Sequence, residues 1–486
     1  MKKKRAQRNY LDVKREVMKK RINVLLLAGM LILVCASMTA CSGTRESMPQ
    51  DKAFPAGYRG SSPAVSGASA DTVIAKLPYR SFFADKTLCA LIDTAVVNNI
   101  DLQIALKNID YAEQLRNSAK LGILPSLSVG VQDIHNKSSD NGAQKTPQEY
   151  IASVSSSWEL DIWGKIRSRS QSALAAYLKT QEAAKAVRTR LVADVAAGYY
   201  NLLMLDAQLA LSKKNLALAD TTLKMIQLQY TAGQVSGLAI RQQEAARQSI
   251  AGSIPLIEQN IALQENALST LCGRMPGPIR RNQLLFNAKV VDDLSIGIPA
   301  AVLQNRPDVR AAELAVRGAS ADVDEAGAAF YPSIIVTAQG GVSALKSSDW
   351  FNVPGSLFSV LQGSLLQPLF QRGQLKANYE QSKIKRDQAE LSFKQSLLNA
   401  VAEVSDALVR LEKIKEQEVI AEERVATLQK AVTNSGMLFQ SGLATYLEVI
   451  VVQTNSLGAE LNLADLRRQH LAALAELYRS LGGGWR

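Results

Sequence analysis

Residues 167–230 contain no proline and a single glycine, Gly198, and nothing else in the chain restricts its fold as much. From residue 191 the apolar or small side chains fall at Leu191, Val195, Gly198, Leu202, Leu205, Leu209, Ser212, Leu216, Ala219, Leu223, Ile226 and Tyr230. The steps alternate between four and three, which is a heptad seam. A helix over this stretch would be roughly 95 Å long at 1.5 Å per residue, about three times the thickness of a bilayer core. Such a rod cannot bury its stripe alone, and a 3.5-residue period asks for supercoiling with neighbours. A second row at Ala196, Leu203, Ala207 and Ala210 asks for contact on more than one side. The segment is expected to be one stave of a helical wall.

The chain of 486 residues carries a formal charge of +12, which would fit a nucleic-acid binder if it were spread over a surface. It is not spread. Residues 1–40 hold ten Lys or Arg against Asp12 and Glu16, so the basicity belongs mostly to a leader, and nucleic acid is not an expected partner. In that leader Lys19, Lys20 and Arg21 precede an apolar run from Ile22 to Ala36, short for a membrane span and followed by small residues. This is the layout of an export signal, with Met1 or Met18 as the start. The run ends in Ser37-Met38-Thr39-Ala40-Cys41, which resembles a bacterial lipoprotein cleavage box and makes Cys41 the expected acylated residue. Beyond it only Cys89 and Cys272 remain, too few for a disulfide framework, and both read as buried free thiols.

A Ser-, Gly-, Pro- and Ala-rich tether follows, then a helix near residues 86–120 with Leu88, Leu91, Ile92, Ala95, Leu102, Ala105, Leu106 and Ile109 at helical spacing. At Pro125 the period changes to two. Leu127, Val129 and Val131 alternate with Ser126, Ser128 and Gln132. Tyr150, Ala152, Val154, Trp158 and Leu160 alternate with Ser153, Ser155, Ser157 and Glu159, with Ser156 interrupting the apolar row. Two strands of about ten residues are expected, joined by a polar loop through residues 138–142, in the dyad pattern of a membrane barrel, with Trp158 and Trp163 suited to an interfacial girdle. The long helix comes next, then a turn at residues 232–237 and a returning helix to about Leu271.

The series then happens again. Asn305-Arg306-Pro307-Asp308 opens a helix that ends at Phe330-Tyr331-Pro332-Ser333; a strand runs over residues 334–339, and Leu357, Leu361 and Leu365 mark another. Residues 374–435 form a second long helix, with Leu397, Val401, Val404, Leu408 and Leu411 at the same spacing. A turn at residues 439–445 leads to a last helix ending at Leu481-Gly482-Gly483-Gly484-Trp485. Pro125 pairs with Pro332, Tyr230 with Phe439, Gly233 with Gly442, Ser236 with Thr445 and Leu271 with Leu481, an internal duplication with very small insertions. The expected organisation is a signal peptide (1–40), a lipidated tether (41–78), a first repeat (79–275), a linker (276–302) and a second repeat (303–486). Two repeats give four amphipathic strands, too few to close a barrel, so several chains must combine.

From about Tyr79 to Trp485 the chain resembles the TolC-type outer-membrane factors, in particular the lipoprotein subunits of resistance-nodulation-division efflux systems. The residues that carry the resemblance are Tyr79-Arg80-Ser81-Phe82-Phe83 leading into Asn98-Asn99-Ile100-Asp101-Leu102, the Asn305-Arg306-Pro307-Asp308 helix start, Tyr331-Pro332-Ser333, Phe439 and Gly442 with Thr445, and the closing Leu481-Gly482-Gly483-Gly484-Trp485. The resemblance implies an α+β membrane protein, a trimer in which a long α-helical coiled-coil barrel is continuous with a transmembrane β-barrel. It implies a passive exit duct for small molecules such as drugs, with a periplasmic adaptor protein, an inner-membrane efflux pump and outer-membrane lipid as partners. It also implies an acidic ring at the periplasmic aperture, and counting from the glycine turn reaches Glu448 and Val451, so a single ring of three Glu448 carboxylates is expected. Thr445 and Glu448 are equally the two ends of a capping box, and both readings stand. The hairpin tips, with Gly233, Gln234, Ser236, Gly442, Leu443 and Thr445, are the implied adaptor contacts, while Gly233 and Gly442 supply positive φ and Ser236 and Thr445 cap helices.

No catalytic or metal-binding residues and no cofactor are expected. His135 and His470 have no cysteine or second histidine at ligand spacing, Gly482-Gly483-Gly484 follows a helix instead of opening one, and the run through Glu416, Glu418, Glu422, Glu423 and Arg424 reads as a solvated face. Two other functions share parts of this pattern: the outer-membrane component of type I protein secretion, and a non-channel periplasmic coiled-coil scaffold lipoprotein. The strands distinguish the scaffold, which would leave them in water.

Overall fold

A computed structural model describes residues 77–135, 138–140, 143–145, 148–288 and 305–485. The export signal, Cys41 and nearly all of the tether lie outside the described residues, as does the second half of the linker. The chain begins with α1 (Tyr79–Phe82), α2 (Lys86–Asn98) and α3 (Ile100–Leu121), followed by β1 (Ser126–His135), β2 (Ser138–Asp140), β3 (Ala143–Lys145) and β4 (Gln148–Glu159). Then come the long helix α4 (Lys165–Thr231) and its returning partner α5 (Gly237–Leu271). The second half runs α6 (Pro307–Ala328), β5 (Ser333–Ala344), β6 (Leu357–Leu366), α7 (Gln374–Gln440) and α8 (Tyr446–Ser480). Both long helices have 67 residues and both returning helices have 35.

The antiparallel sheet has the order β1-β4-β5-β6. The helices follow the same order. α4 packs along α3 and α6 near the sheet, and α6 packs on α7; farther away α4 lies between α5 and α8, and α8 packs on α7. At either level four helices stand abreast, so α3, α5 and β1 share one free edge of the chain and α7 and β6 share the other. The seam of the long helix faces inward as its spacing requires: Leu191, Val195, Leu202, Leu205, Ser212, Ala219 and Ile226 are buried, while Tyr230 at its end is half exposed.

The main core lies midway along the wall, where α1 and α2 pack over α4, the C-terminal ends of α5 and α8, and the middle of α7. Phe82 stacks on Tyr478 with ring centroids 4.3 Å apart. The Tyr199 hydroxyl donates to Asp85 at 2.6 Å, and burial together with that carboxylate pushes its pKa up. Asp85 also caps α2 through the Thr87 N–H at 2.7 Å, so one carboxylate starts a helix and docks it.

The sequence suggests one helix over residues 86–120; there are two, bent by 44° at Asn99. Asn99 holds the break. Its Oδ1 accepts from the Leu102 N–H at 2.9 Å, capping α3, while its Nδ2 donates to the Leu271 carbonyl at 2.9 Å. Arg306 makes the matching tie in the second half, donating to the Ser480 carbonyl at 2.9 Å. The Arg306 guanidinium, 3% exposed, also holds Asp308 at 2.6 and 3.0 Å and Glu403 at 2.9 Å. Two further expectations need correction. The polar loop between β1 and β4 carries a short antiparallel pair, β2 with β3. Glu418 is not on a solvated face: it is 6% exposed, accepts from Arg467 Nη1 at 2.7 Å, and lies 2.6 Å from His470 Nδ1. Burial alone would raise the Glu418 pKa, but the hydrogen bonds from His470 and Arg467 hold it below its ordinary value. Of the two thiols, Cys272 is buried and Cys89 half-buried, and both are free.

Arg306→Ala loses charge-assisted bonds and the bond to the Ser480 carbonyl but leaves Asp308 and Glu403 within reach of water, each more than a third exposed, so it should cost about 1.5–3 kcal/mol in thermal or denaturant unfolding. Asn99→Ala loses neutral hydrogen bonds and should cost about 1–3 kcal/mol. The Glu418 contribution has the sign of a depressed carboxylate: present at neutral pH and lost as pH falls below the ordinary value of 4.5. Melting temperature followed from neutral pH to about pH 3 should therefore fall more steeply for the unsubstituted protein than for Glu418→Gln.

Candidate functional site

Strand pairing places the side chains of the four-stranded sheet on two chemically different faces. Residues directly opposite in adjacent strands point the same way. Val129 is opposite Val154, Val154 opposite Gly340 and Gly340 opposite Ser359; Leu127, Ser156, Ala338 and Leu361 form the neighbouring level. With Val131, Ala152, Trp158, Ile334, Val336, Val342, Leu357 and Leu365 they make one face, apolar from the helix end as far as Val131 and Leu357 and polar beyond, at Asp133, His135 and Gln148. Leu127, Val129, Val154, Ile334, Leu361 and Leu365 all lie on it. Leu127, Val129 and Leu361 are 74%, 77% and 80% exposed, which makes no sense in water.

The opposite face carries Ser126, Ser128, Ser153, Ser155, Ser157, Thr337, Gln339, Gln362 and Ser364, with Ile151, Ile335, Phe358 and Val360 among them. Its hydroxyls and amides are linked across strands: Ser128 to Ser155 at 2.8 Å and Gln339 Nε2 to Ser153 at 2.9 Å. Aromatic rings bracket the apolar face at both ends. Near the helices Trp158 Nε1 donates to the Ile123 carbonyl at 2.9 Å, and Trp163 stacks on Tyr331 with centroids 4.9 Å apart. Leu369 and Phe370, just past β6, are 92% and 84% exposed. At the far end Trp350 lies between Tyr150 and Phe351.

The two hairpin tips form at the other end of the wall. Each long helix closes with the same pair of backbone bonds, Gly233 N–H to Tyr230 and Gln234 N–H to Gln229, and Gly442 N–H to Phe439 and Leu443 N–H to Leu438. Gly233 and Gly442 have φ of 69° and 78°. A Cβ at either would meet nothing within 4 Å, so glycine is needed there for conformation alone. Ile226, Ala239, Phe439 and Val449 bury one another and hold the tips side by side.

Thr445 and Glu448 make a complete capping box, the Thr445 N–H donating to Glu448 Oε2 at 2.7 Å and the Glu448 N–H to Thr445 Oγ1 at 3.5 Å. Ser236 departs from expectation: it occupies the N-cap position of α5, but its side chain accepts no capping bond. The position that would complete its box is Ala239, which is buried. Gly233, Gln234, Ser236, Gly442, Leu443 and Thr445 are all exposed at the tips. The sequence reading had not singled out the leucines beside them, Leu238 and Leu447, each more than half exposed. It had also missed the polar rungs behind the tips, Gln453 to Thr222 at 2.9 Å and Gln243 to the Ala219 carbonyl at 3.0 Å. Among the described residues no group of three His, Cys, Asp or Glu side chains is placed to hold a metal ion.

The family description "Outer membrane efflux protein" matches residues 91–274 and 298–483. The cation efflux system protein CusC of Escherichia coli O6:H1 is 28% identical over 408 residues, 84% of this chain and 88% of that protein. The probable efflux pump outer membrane protein TtgC of Pseudomonas putida is 30% identical over 429 residues, 86% and 87% of the two chains. The solvent efflux pump outer membrane protein SrpC, also from Pseudomonas putida, is 29% identical over 84% and 87%. Among solved structures, a CusC structure described for its transmembrane channel formation superposes with a TM-score of 0.80 at 26% identity, covering 89% of this chain and 99% of the other.

The unequal caps give a test at the tips. Gly442→Ala should cost about 1–2 kcal/mol through its left-handed backbone, and Thr445→Ala about 1 kcal/mol through the lost cap. Ser236→Ala should change stability by less than about 0.5 kcal/mol. Amide hydrogen exchange across residues 226–240 and 435–450 reads local opening directly and should rank the three variants in that order.

Proposed function

The chain belongs to the outer membrane efflux protein family, and we propose that it is the outer-membrane exit duct of a tripartite efflux system, passing small molecules such as drugs. It has the fold of the family's trimeric channels, a helical barrel continuous with a β-barrel to which each chain gives four strands. The observation that carries the function is the sheet: four strands in one register, apolar on one face and hydroxyl-lined on the other, with both edges free. Lipid on the apolar face and water on the polar face satisfy every strand once further copies pair with β1 and β6.

The energy for export comes from the partner pump. The relatives are named for cargoes as different as cations and solvents, which fits a duct whose pump selects what enters. We assign the hairpin tips, with Gly233, Gln234, Ser236, Gly442, Leu443 and Thr445, to contact with a periplasmic adaptor; the exposed Leu238, Leu443 and Leu447 support that surface. Glu448 is assigned to the aperture, where three copies would form a carboxylate ring. One of its oxygens already serves the capping bond, so a cap and a ring are compatible. Cys41 is assigned as the lipid anchor, and 79–275 and 303–486 as the two repeats.

Single-channel conductance in a planar bilayer tests this function. Discrete openings are expected, and Glu448→Gln, which can keep the capping bond, should reduce preference for cations. Openings indifferent to that variant would remove the ring and keep the duct. The facing is tested by Val129→Arg, which should cost about 2–4 kcal/mol in folding into the membrane, while Ser128→Arg on the other face should assemble. Equal tolerance of both would refute the barrel.

A further inference from the structure

We propose, on the footing of the duct reading, that each junction between subunits holds the phosphate of an anionic phospholipid from the periplasm-facing leaflet, and that this lipid ties the neighbouring copies together. The duplication builds the step from sheet to helices twice. Within the chain the head of α4 meets the end of α6, because β4 pairs with β5. Between copies the head of α7 meets the end of α3, once β6 pairs with β1 of the next copy. The two junctions correspond residue for residue: α3 and α6 have 22 residues, α4 and α7 have 67, and Gly164 and Gly373 hold the same left-handed turn before the long helices.

At the internal junction the charges are balanced. Lys165 is paired with Glu159 at 3.0 Å, Asp161 lies 3.8 Å from Arg167 Nε, and Glu325 on α6 stands in the field of Arg169 and Lys165. Between copies all three acids are gone: Pro368 takes the place of Glu159, Phe370 that of Asp161 and Ser118 that of Glu325. Basic side chains stay or are added. Lys376 replaces Arg167, Arg372 replaces Trp163 and Lys120 replaces Gly327. These three are exposed and, among the described residues, make no ion pair; Asp322 and Asp324 of α6, which also packs on α7, are not bonded to them. Of the acids left on the two segments, Glu380 is paired with Lys383 at 3.4 Å, and Glu113 lies about two turns from Lys120.

Assembly therefore brings Lys120 of one copy to Arg372 and Lys376 of the next, like charges that repel unless an anion lies between them. The apolar neighbours select the anion. Leu369 and Phe370 just before Arg372, and Leu121, Ile123 and Leu124 just after Lys120, are all half exposed or more. Trp158, on the lipid-facing side of the sheet, donates to the Ile123 carbonyl, so this rim lies where the sheet gives way to the helices. A phospholipid satisfies both halves: its phosphate oxygens accept from the guanidinium and ammonium groups, and its chains cover the exposed leucines and Phe370. Free phosphate would leave the apolar half in water.

The test follows the temperature at which the full-length trimer, delipidated in a neutral detergent, dissociates on native electrophoresis. Phosphatidylglycerol should raise that midpoint by about 5 °C or more, while phosphatidylcholine and inorganic phosphate at the same concentration should not. Lys120→Gln combined with Lys376→Gln should abolish the shift, and Lys214→Gln, far from the rim, should keep it. Ser118→Glu copies the acid of the internal junction: it should raise the midpoint without lipid and cut the phosphatidylglycerol shift to less than about half. Equal shifts from both lipids, or a phosphatidylglycerol shift that survives the double variant, would overturn the proposal; a phosphate shift equal to that of phosphatidylglycerol would remove the lipid from it. Discrete openings of the same preparations in a planar bilayer keep the duct reading whichever way the lipid result falls. A protein that is monomeric in detergent and silent in the bilayer overturns both.

Discussion

An unpaired strand edge in hydrocarbon leaves a row of N–H and C=O groups with no partner, each costing several kcal/mol, and this chain has two such edges, on β1 and β6. The rest of the architecture is arranged around closing them. Strand order and helix order coincide, so the edge with β1 also carries α3 and α5, and the edge with β6 also carries α7. Exposed apolar side chains line both, Ile104, Tyr111 and Leu115 on α3 and Ile384, Leu391, Leu398 and Ile420 on α7. A single operation that pairs β6 of one copy with β1 of the next therefore also seals the helical wall. The folded chain on its own is unfinished, and its open edges are an aggregation hazard until assembly removes them.

Stability is unevenly spread along this wall. The core midway along it gathers α1, α2, α4, α5, α7 and α8 around Phe82, Tyr199 and Tyr478. At the tips the wall is held by Ile226, Ala239, Phe439 and Val449, with a few smaller contacts around them. Segments with few buried apolar contacts open at the lowest free energy. The tips are thus held by a small cluster of their own, while the sheet, with almost no buried apolar side chain, is fixed by ladders on every interior strand.

Much of this was legible in the residues because two periods carry it. The four-three spacing from Leu191 to Ile226 gave the long helix and its buried stripe, and the alternation of Leu127, Val129 and Val131 with serines gave both faces of β1. The bend at Asn99 was not legible: no proline or glycine marks it, and apolar spacing continues on both sides. It depends on a carbonyl at Leu271, far along the chain, that only the tertiary fold supplies. Glu418 was misread for a different reason. The run of charges around it suggested solvent, yet Leu411, Ile414, Glu418, Ala421 and Val425 keep the heptad steps and are all buried. Spacing was the better guide than residue type. At the tips, Ser236 and Thr445 hold the same backbone position, and the acid three residues on decides which of them caps.

That last contrast runs through the whole duplication. Both halves keep the backbone devices, such as the tie from the head of one helix to the end of another, but the second half makes them with charges. Asn99 is matched by Arg306 with Glu403, and the neutral seam of α4 is matched on α7 by Glu418 with Arg467 and His470. The asymmetry follows from position in the wall. α4 has helices of its own chain on both sides, and its own ion pairs, Asp206 with Arg281 and Asp220 with Arg247, lie off its seam. α7 stands at the free edge, and part of its surface waits for another copy. Buried ion pairs add little net stability, because desolvation offsets their attraction, but a misplaced partner strands a charge and costs several kcal/mol. Placed where α7 meets α8, such pairs fix the register of the edge helix before a neighbour arrives, and β6, which leads directly into it, presents its edge in a set position for pairing.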